Sequence, residues 1–406
     1  MAVFICEASA SARAALVEIQ PFPDGEAMYI PVLPGLSPAC FLKRTAAERM
    51  PFPLDGSNSI YFYVARNGIY HLMRSLGVQD GGSVLAPDYY HGNEIRAMRA
   101  AGATVQHYPI KKNLEVDLDV LYGLCKSRPR VVYVTHFIGW PQPIKEIQKI
   151  CREMQITLVE DCALSFMSEA EGKPLGSFGD YSVFCLYKTV PLPNGGVLVQ
   201  NRQAGIRVNG VDLRQCSTLS LASRTSELML QWFRSHYELS GRCLFGLKRV
   251  AGRTLTAGKL GRIPVGDSGF NVGATWFAMS DMCHSLLPRF SFDRIKQTRR
   301  RNFLSLENRL RDRVRLLDVT LTDGVCPLFF PLLVSNKKEA AQLLEHRGIE
   351  TIEFWNLATS ESTKYNSDSE FLRRHLLEVP IHQDLESETV QYIADQIIDL
   401  GVGLQP

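Results

Sequence analysis

Between Ser59 and Gln200 the chain alternates segments of helical period with short apolar runs, and this alternation constrains the fold more than any other feature. A helical pattern from Ser59 to Leu76 passes through Gly77 and Gly81-Gly82 into the run from Ser83 to Ala86, closed by Pro87. A helix from about Asn93 to Ala101, a strand from Thr104 to Tyr108, a helix from about Val116 to Lys126 and a strand from Arg130 to Thr135 follow. The helix from Pro143 to Met154, with Ile144, Ile147 and Ile150 on one face, leads to a strand from Ile156 to Glu160. Two more strands, Tyr181 to Tyr187 and Gly196 to Gln200, are separated only by a loop. Helices alternating with short apolar strands build βαβ units around a mostly parallel sheet. Six strands are legible, with room for another.

At 406 residues the chain can bury a large core and holds more than one unit. Seven prolines between Pro21 and Pro53 predict an N-terminal arm over residues 1–54, laid across the core or a partner subunit. Residues 55–275 form the large unit, and 276–406 a smaller one, with a long helix from Phe292 to Arg313, a strand near Leu328 to Val334 and helices near 337–346 and 387–400. The net charge of +3 excludes a molecule-wide field for nucleic acid or an anionic membrane. That near balance hides unlike parts: residues 202–262 carry eleven basic and three acidic residues, leaving −5 for the rest. Trp232-Phe233 among these cations also allows docking on a membrane-associated partner. No two of the ten cysteines have metal-knuckle or CxxC spacing, so no metal site is expected. Buried thiols, no signal-like N-terminus and no apolar stretch near 18 residues make a cytoplasmic protein without a transmembrane segment the expectation.

Ligands in open α/β sheets gather beyond the carboxyl ends of the strands. Those ends carry Tyr89-Tyr90-His91, His136, Asp161 and Lys188 here. A lysine in an apolar pocket is less stable when charged, which makes its amine a nucleophile toward an aldehyde. A buried carboxylate pairs naturally with a pyridinium nitrogen. Asp161 and Lys188, 27 residues apart, therefore match the acid and amine partners of pyridoxal phosphate, although a loop-capping Asp and a surface Lys also fit the pair taken alone. Arg66, Asn67 and Gly68 open a periodic run, where backbone N–H groups can cradle a phosphate. Asn194-Gly195-Gly196 is a tight turn that permits close backbone approach.

Val159-Glu160-Asp161-Cys162-Ala163, Gly176-Ser177-Phe178-Gly179-Asp180, Phe184-Cys185-Leu186-Tyr187-Lys188 and Asn194 to Val199 occur in this order. Thr135 to Pro141, Pro87 to His91, Gly269-Phe270-Asn271, Met279-Ser280-Asp281 and Glu378 to His382 extend the pattern. Together they resemble the DegT/DnrJ/EryC1/StrS aminotransferases, fold type I enzymes that use pyridoxal 5'-phosphate to aminate keto sugars.

The resemblance implies an aspartate aminotransferase-like α/β fold: a mostly parallel seven-stranded sheet sandwiched by helices, with a smaller C-terminal α/β domain. It implies that Lys188 forms the Schiff base and moves the proton, and that Asp161 meets the pyridine nitrogen. By the same resemblance His91 would stack on the cofactor, and Arg66, Asn67 and Gly68 would bind its phosphate. The resemblance also implies a homodimer with shared sites, in which Asn271 would lie near the phosphate of the neighbouring subunit. The implied substrates are an amino acid donor and a keto-sugar acceptor, a nucleotide-linked one being the expectation because basic residues 202–262 offer cations for a diphosphate. Nucleic acid is not an expected partner.

Three departures stand out. Leu164 occupies the position of the usual Gln, with Ser165 beside it as a substitute; Val183 replaces the usual phosphate-binding Ser or Thr; and the stretch between Gly196 and Gly269 is long. They leave open a non-transaminating relative, such as a dehydratase, which usually has His in place of the Lys. A catalytically silent binding relative of the same fold is also open.

Overall fold

The computed structural model describes residues 28–42, 49–56, 58–237, 269–353, 355–356 and 367–406. Strands β1 (Ser59–Phe62), β2 (Ser83–Pro87), β3 (Thr104–Tyr108), β4 (Val131–Thr135) and β5 (Thr157–Asp161) precede a hairpin of β6 (Glu169–Ala170) and β7 (Lys173–Pro174). Strands β8 (Tyr181–Cys185) and β9 (Gly196–Gln200) complete the large sheet, whose order is β1-β9-β8-β5-β4-β2-β3. The steps among β8, β5, β4, β2 and β3 are parallel; β9 runs antiparallel to both β8 and β1. The connecting helices are α1 (Ala65–Ser75), α2 (Asn93–Ala100), α3 (Leu118–Cys125) and α4 (Ile144–Met154). The central strands β4 and β8 are buried along their whole length, as expected for a sheet covered on both faces.

The seventh strand lies where the sequence predicts the start of a helix. Ser59–Phe62 pairs with β9, Ser59 opposite Val199 and Phe62 opposite Gly196, and the helix begins only at Ala65. Backbone pairing overrides the helical spacing, and Tyr63 continues it by donating from N to Phe277 O and accepting from Gly195 N. Smaller shifts have local causes. The third helix starts at Leu118 because the Asp117 carboxylate accepts from Asp119 N and Val120 N. The strand expected to reach Tyr187 stops at Cys185, and Leu186–Lys188 is a 3-10 turn.

After β9 come α5 (Thr218–His236), α6 (Asp281–Leu286) and the long α7 (Phe292–Leu310). The C-terminal stretch has β10 (Phe330–Leu333), α8 (Lys337–His346), α9 (Ser367–His375), β11 (Leu376–Val379) and α10 (Ser387–Asp399), with β10 and β11 antiparallel. The basic stretch is described as far as residue 237, and its remaining residues to 262 lie outside the described ones. Its helix α5 is tied to the N-terminal segment: Leu36 N donates to Leu228 O, Gln231 Nε2 donates to Leu33 O at 2.7 Å, and Arg234 lies 3.6 Å over the Tyr29 ring. Trp232 stacks on His236 and is half-buried, so it is committed to the helix it stands on. None of the described helices is long and apolar enough to cross a membrane. The described cysteines are free thiols, all buried except Cys216.

The Asn194-Gly195-Gly196 turn makes the close approach that its composition predicts. A Cβ on Gly196 would lie 2.3 Å from Ala65 N and Val64 C, backbone atoms at the start of α1. Gly196→Ala should therefore lower stability by about 1–3 kcal/mol or more, read as a shift in urea midpoint. Gly205→Ala, where the added Cβ meets nothing within 4 Å, is the control and should stay near wild type. Equal midpoints for the two variants would refute the contact.

Candidate active site

A cavity of about 420 Å³ opens at the carboxyl ends of β2, β4, β5 and β8. Its wall includes Arg66, His91, Asp161 and Lys188, which the sequence predicts as site residues. Asp161 ends β5 and is 6% exposed; Lys188 closes the 3-10 turn after β8. The two strands are parallel neighbours, so residues 27 apart in sequence project into one space.

Asp161 is held on both oxygens. Tyr133 donates its hydroxyl to Oδ2 at 2.8 Å, and Ala163 N donates to Oδ1 at 2.9 Å. Burial pushes the carboxyl up to about 6, and the nearby Glu94 carboxylate adds to the rise; the two hydrogen bonds and Lys188 oppose it. Glu94 is itself pushed up by burial. Its oxygens accept from His91 N at 2.8 Å and Gly92 N at 3.1 Å, so it fixes the bend that presents His91 to the cavity. The same loop is gripped from below by α9, where Arg373 donates to Asp88 O at 2.8 Å and Trp355 O at 2.6 Å. Thr189, next to Lys188, accepts from Arg299 on α7 and from Gln383 Nε2 at 3.0 Å.

Four expected site residues do not face this cavity. The Asn67 amide donates to Ala274 O at 2.9 Å, and Gly68 lies against Leu198 and Phe62, where a Cβ would sit 3.2 Å from each. A helix turns 100° per residue, so Arg66 reaches the cavity while its two successors face the sheet and the 272–274 turn. Ser165 is 1% exposed and stands off the wall that Leu164 occupies. Asn271 is exposed and caps the turn by accepting from Gly273 N, away from this chain's cavity. His136, expected on the rim, points instead into the protein, where its Nε2 meets Glu160 at 3.0 Å and its Nδ1 accepts from Gln142 N. His136, Glu160 and Cys162 cluster closely, yet Glu160 is fully engaged by that imidazole and by Gly176, Phe178 and Gly179 N–H groups.

The sequence reading missed Glu94, Tyr187, Arg224, Trp355 and Asn356 on the wall. Glu94 had a signal, an acid in the first turn of a predicted helix. Arg224 was one cation among many.

Residues 59–208 match the model of the DegT/DnrJ/EryC1/StrS aminotransferase family. This segment belongs to that family. GDP-perosamine synthase of Vibrio cholerae is 27% identical over 132 residues, 32% of this chain, and the chain spans about a third (36%) of that protein's length. The dTDP-4-dehydro-2,3,6-trideoxy-D-glucose 4-aminotransferase of Saccharopolyspora spinosa is 23% identical over 363 residues, 84% of each chain. Among solved structures, Helicobacter pylori PseC, an aminotransferase involved in the biosynthesis of pseudoaminic acid, superposes with a TM-score of 0.64 at 16% identity. That match covers 92% of this chain and 98% of the other, and shows a shared fold.

The raised Asp161 carboxyl has a consequence for the ligand-free protein. Unfolded, it ionises near its ordinary value of 3.8; folded, it keeps its proton to about 6. The folded state therefore binds more protons between those values, and the contribution of Asp161 to stability is lost as pH rises through about 6. Wild type should lose ~2–3 kcal/mol relative to Asp161→Asn between pH 4 and pH 7, measured by urea unfolding. A constant difference across that range would count against this protonation.

Proposed function

We propose that this chain is a pyridoxal 5'-phosphate-dependent aminotransferase that moves an amino group from an amino acid to a keto sugar, most fittingly a nucleotide-linked one. The observation that carries the reading is the convergence of Asp161 and Lys188, from adjacent parallel strands, on one cavity with His91 in its wall. The residues fit the group chemically: a buried carboxylate for a cationic ring nitrogen, an amine for an aldehyde and arginines for a phosphate. When bound, the ring supplies a sink for the negative charge that develops on the substrate carbon.

Lys188 Nζ would hold the aldehyde carbon covalently and, once displaced by the incoming amine, carry the proton to and from the substrate carbon. Asp161 would ionise against the ring nitrogen, a cation relieving the burial that now raises its carboxyl. His91 would cover the ring face, held there by Glu94 beneath its backbone. Leu164, Phe329, Ile352 and Trp355 give the cavity apolar walls that limit water. The net reaction exchanges the donor's amine for the acceptor's keto oxygen. A homodimer with shared sites is part of the reading, with exposed Asn271 facing the neighbouring subunit's cofactor. Lys188 on the wall favours transamination over the dehydratase alternative.

Protein incubated with pyridoxal phosphate and borohydride should carry the label on Lys188. Supplied with glutamate and a panel of keto sugars, it should yield amino sugars detectable by mass spectrometry. Lys188→Ala should abolish the label and lower turnover by about 10³-fold or more. A label on another lysine would overturn the residue assignment; failure with every nucleotide-linked keto sugar would overturn the acceptor class.

A further inference from the structure

Apart from Arg66, the side-chain positions expected to grip a phosphate are turned elsewhere. Asn67 bonds to Ala274 O, Gly68 faces Leu198 and Phe62, and Val183 is wholly buried in the apolar layer with Phe62 and Ile69. What the cavity offers near the start of α1 is positive charge. Its wall has three cationic side chains, Arg66, Arg224 and Lys188, and Lys188 stands beside Asp161 and Glu94.

Arg66 is the second residue of α1, an eleven-residue helix with no acid in its first turn, so its side chain adds to the positive end of the helix dipole. Arg224 arrives from α5, a remote element held against the body by the Leu36–Leu228 and Gln231–Leu33 bonds. Its Nη1 pairs with Glu227 at 3.1 Å, one turn along the same helix. Its Nε is buried without a hydrogen-bond partner among the described residues. An orphaned guanidinium N–H at a cavity wall is costly unless a ligand accepts from it. Both arginines lie close to Tyr187: burial pushes that hydroxyl well up, and the two guanidinium charges pull the other way. Two planar forks near one point suit a dianion with three terminal oxygens.

We propose that Arg66 and Arg224 together bind the phosphate of the cofactor, supplying by charge what Val183 cannot supply by a hydroxyl. This rests on the pyridoxal phosphate reading above. Arg224 is thereby a binding residue of this chain's own, and the helix in its basic stretch is part of the cofactor site.

The test compares pyridoxal phosphate with pyridoxal, which lacks the phosphate, by titrating each into wild type, Arg66→Met, Arg224→Met and Arg224→Lys and following the bound chromophore. Arg224→Met should weaken pyridoxal phosphate by about tenfold or more while changing pyridoxal by less than about twofold. Arg66→Met should do the same, and Arg224→Lys should recover part of the loss. Inorganic phosphate should support pyridoxal binding in wild type and fail to do so in Arg224→Met. An equal loss for both ligands would make Arg224 structural and overturn the proposal. So would unchanged cofactor affinity with a raised KM for a nucleotide-linked acceptor, which would make the arginine a reader of substrate. Wild type that binds both ligands equally well would sink the clamp alone. Wild type that binds neither would sink the cofactor reading itself.

Discussion

Glu160 is the constraint on which the site depends. Its side chain is wholly buried, and its carboxylate accepts from Gly176 N, Phe178 N, Gly179 N and the His136 imidazole. Removing a carboxylate from water is costly unless every oxygen is matched, and four donors match this one. The three N–H groups belong to the loop that connects the hairpin to β8, so the carboxylate sets how β8 enters the sheet beside β5. Because neighbours in a strand point to opposite faces, Asp161 must then face the other way, into the cavity. One residue fixes the loop and the next can do chemistry; their adjacency couples the position of Asp161 to that of Lys188.

The rest of the cavity is assembled from distant chain segments. Arg299 on α7 is fully buried, donates to Leu328 O at 2.8 Å, and reaches Thr189 O beside Lys188. Burial lowers its guanidinium to about 10, a cost that carbonyl partners and Gln383 offset. Arg373 clamps the loop before His91, and the N-terminal segment straps α5 so that Arg224 meets the same space. The large sheet supplies Asp161 and Lys188, while their surroundings come from elements that adjoin it only in three dimensions.

That division explains what the sequence could reveal. The parallel strands were legible because each is a short apolar run between helical patterns, and the chemistry sits on their ends. β1 was not, since Ser59–Phe62 runs into α1 without a turn residue and its partner β9 lies about 140 residues away. β11 was missed for a similar reason: it follows α9 at once, His375 to Leu376, with no punctuation. Asp161, Lys188, His91 and Arg66 share one cavity wall because a strand end or helix start fixes the direction of a side chain. Asn67, Gly68 and Ser165 adjoin wall residues in sequence but are turned away from that cavity. Arg224 carries no local signal, because only the strap from residues 33–36 selects it from the other cations of residues 202–262.

The charges in the cavity then acquire a direction. Around Lys188 stand Asp161, raised to about 6, and Glu94, also raised. Acids displaced upward are acids whose charged form burial disfavours more than their neighbours stabilise it. Around Tyr187 stand two arginines, one with an orphaned N–H. Under the proposed function, a protonated ring nitrogen would place a cation beside the raised acids and a phosphate would place an acceptor beside the orphaned N–H. Anything that binds the folded state alone in this way adds its binding free energy to stability. The net charge of +3 says nothing about this, because the informative quantity is how charge is separated within the cavity.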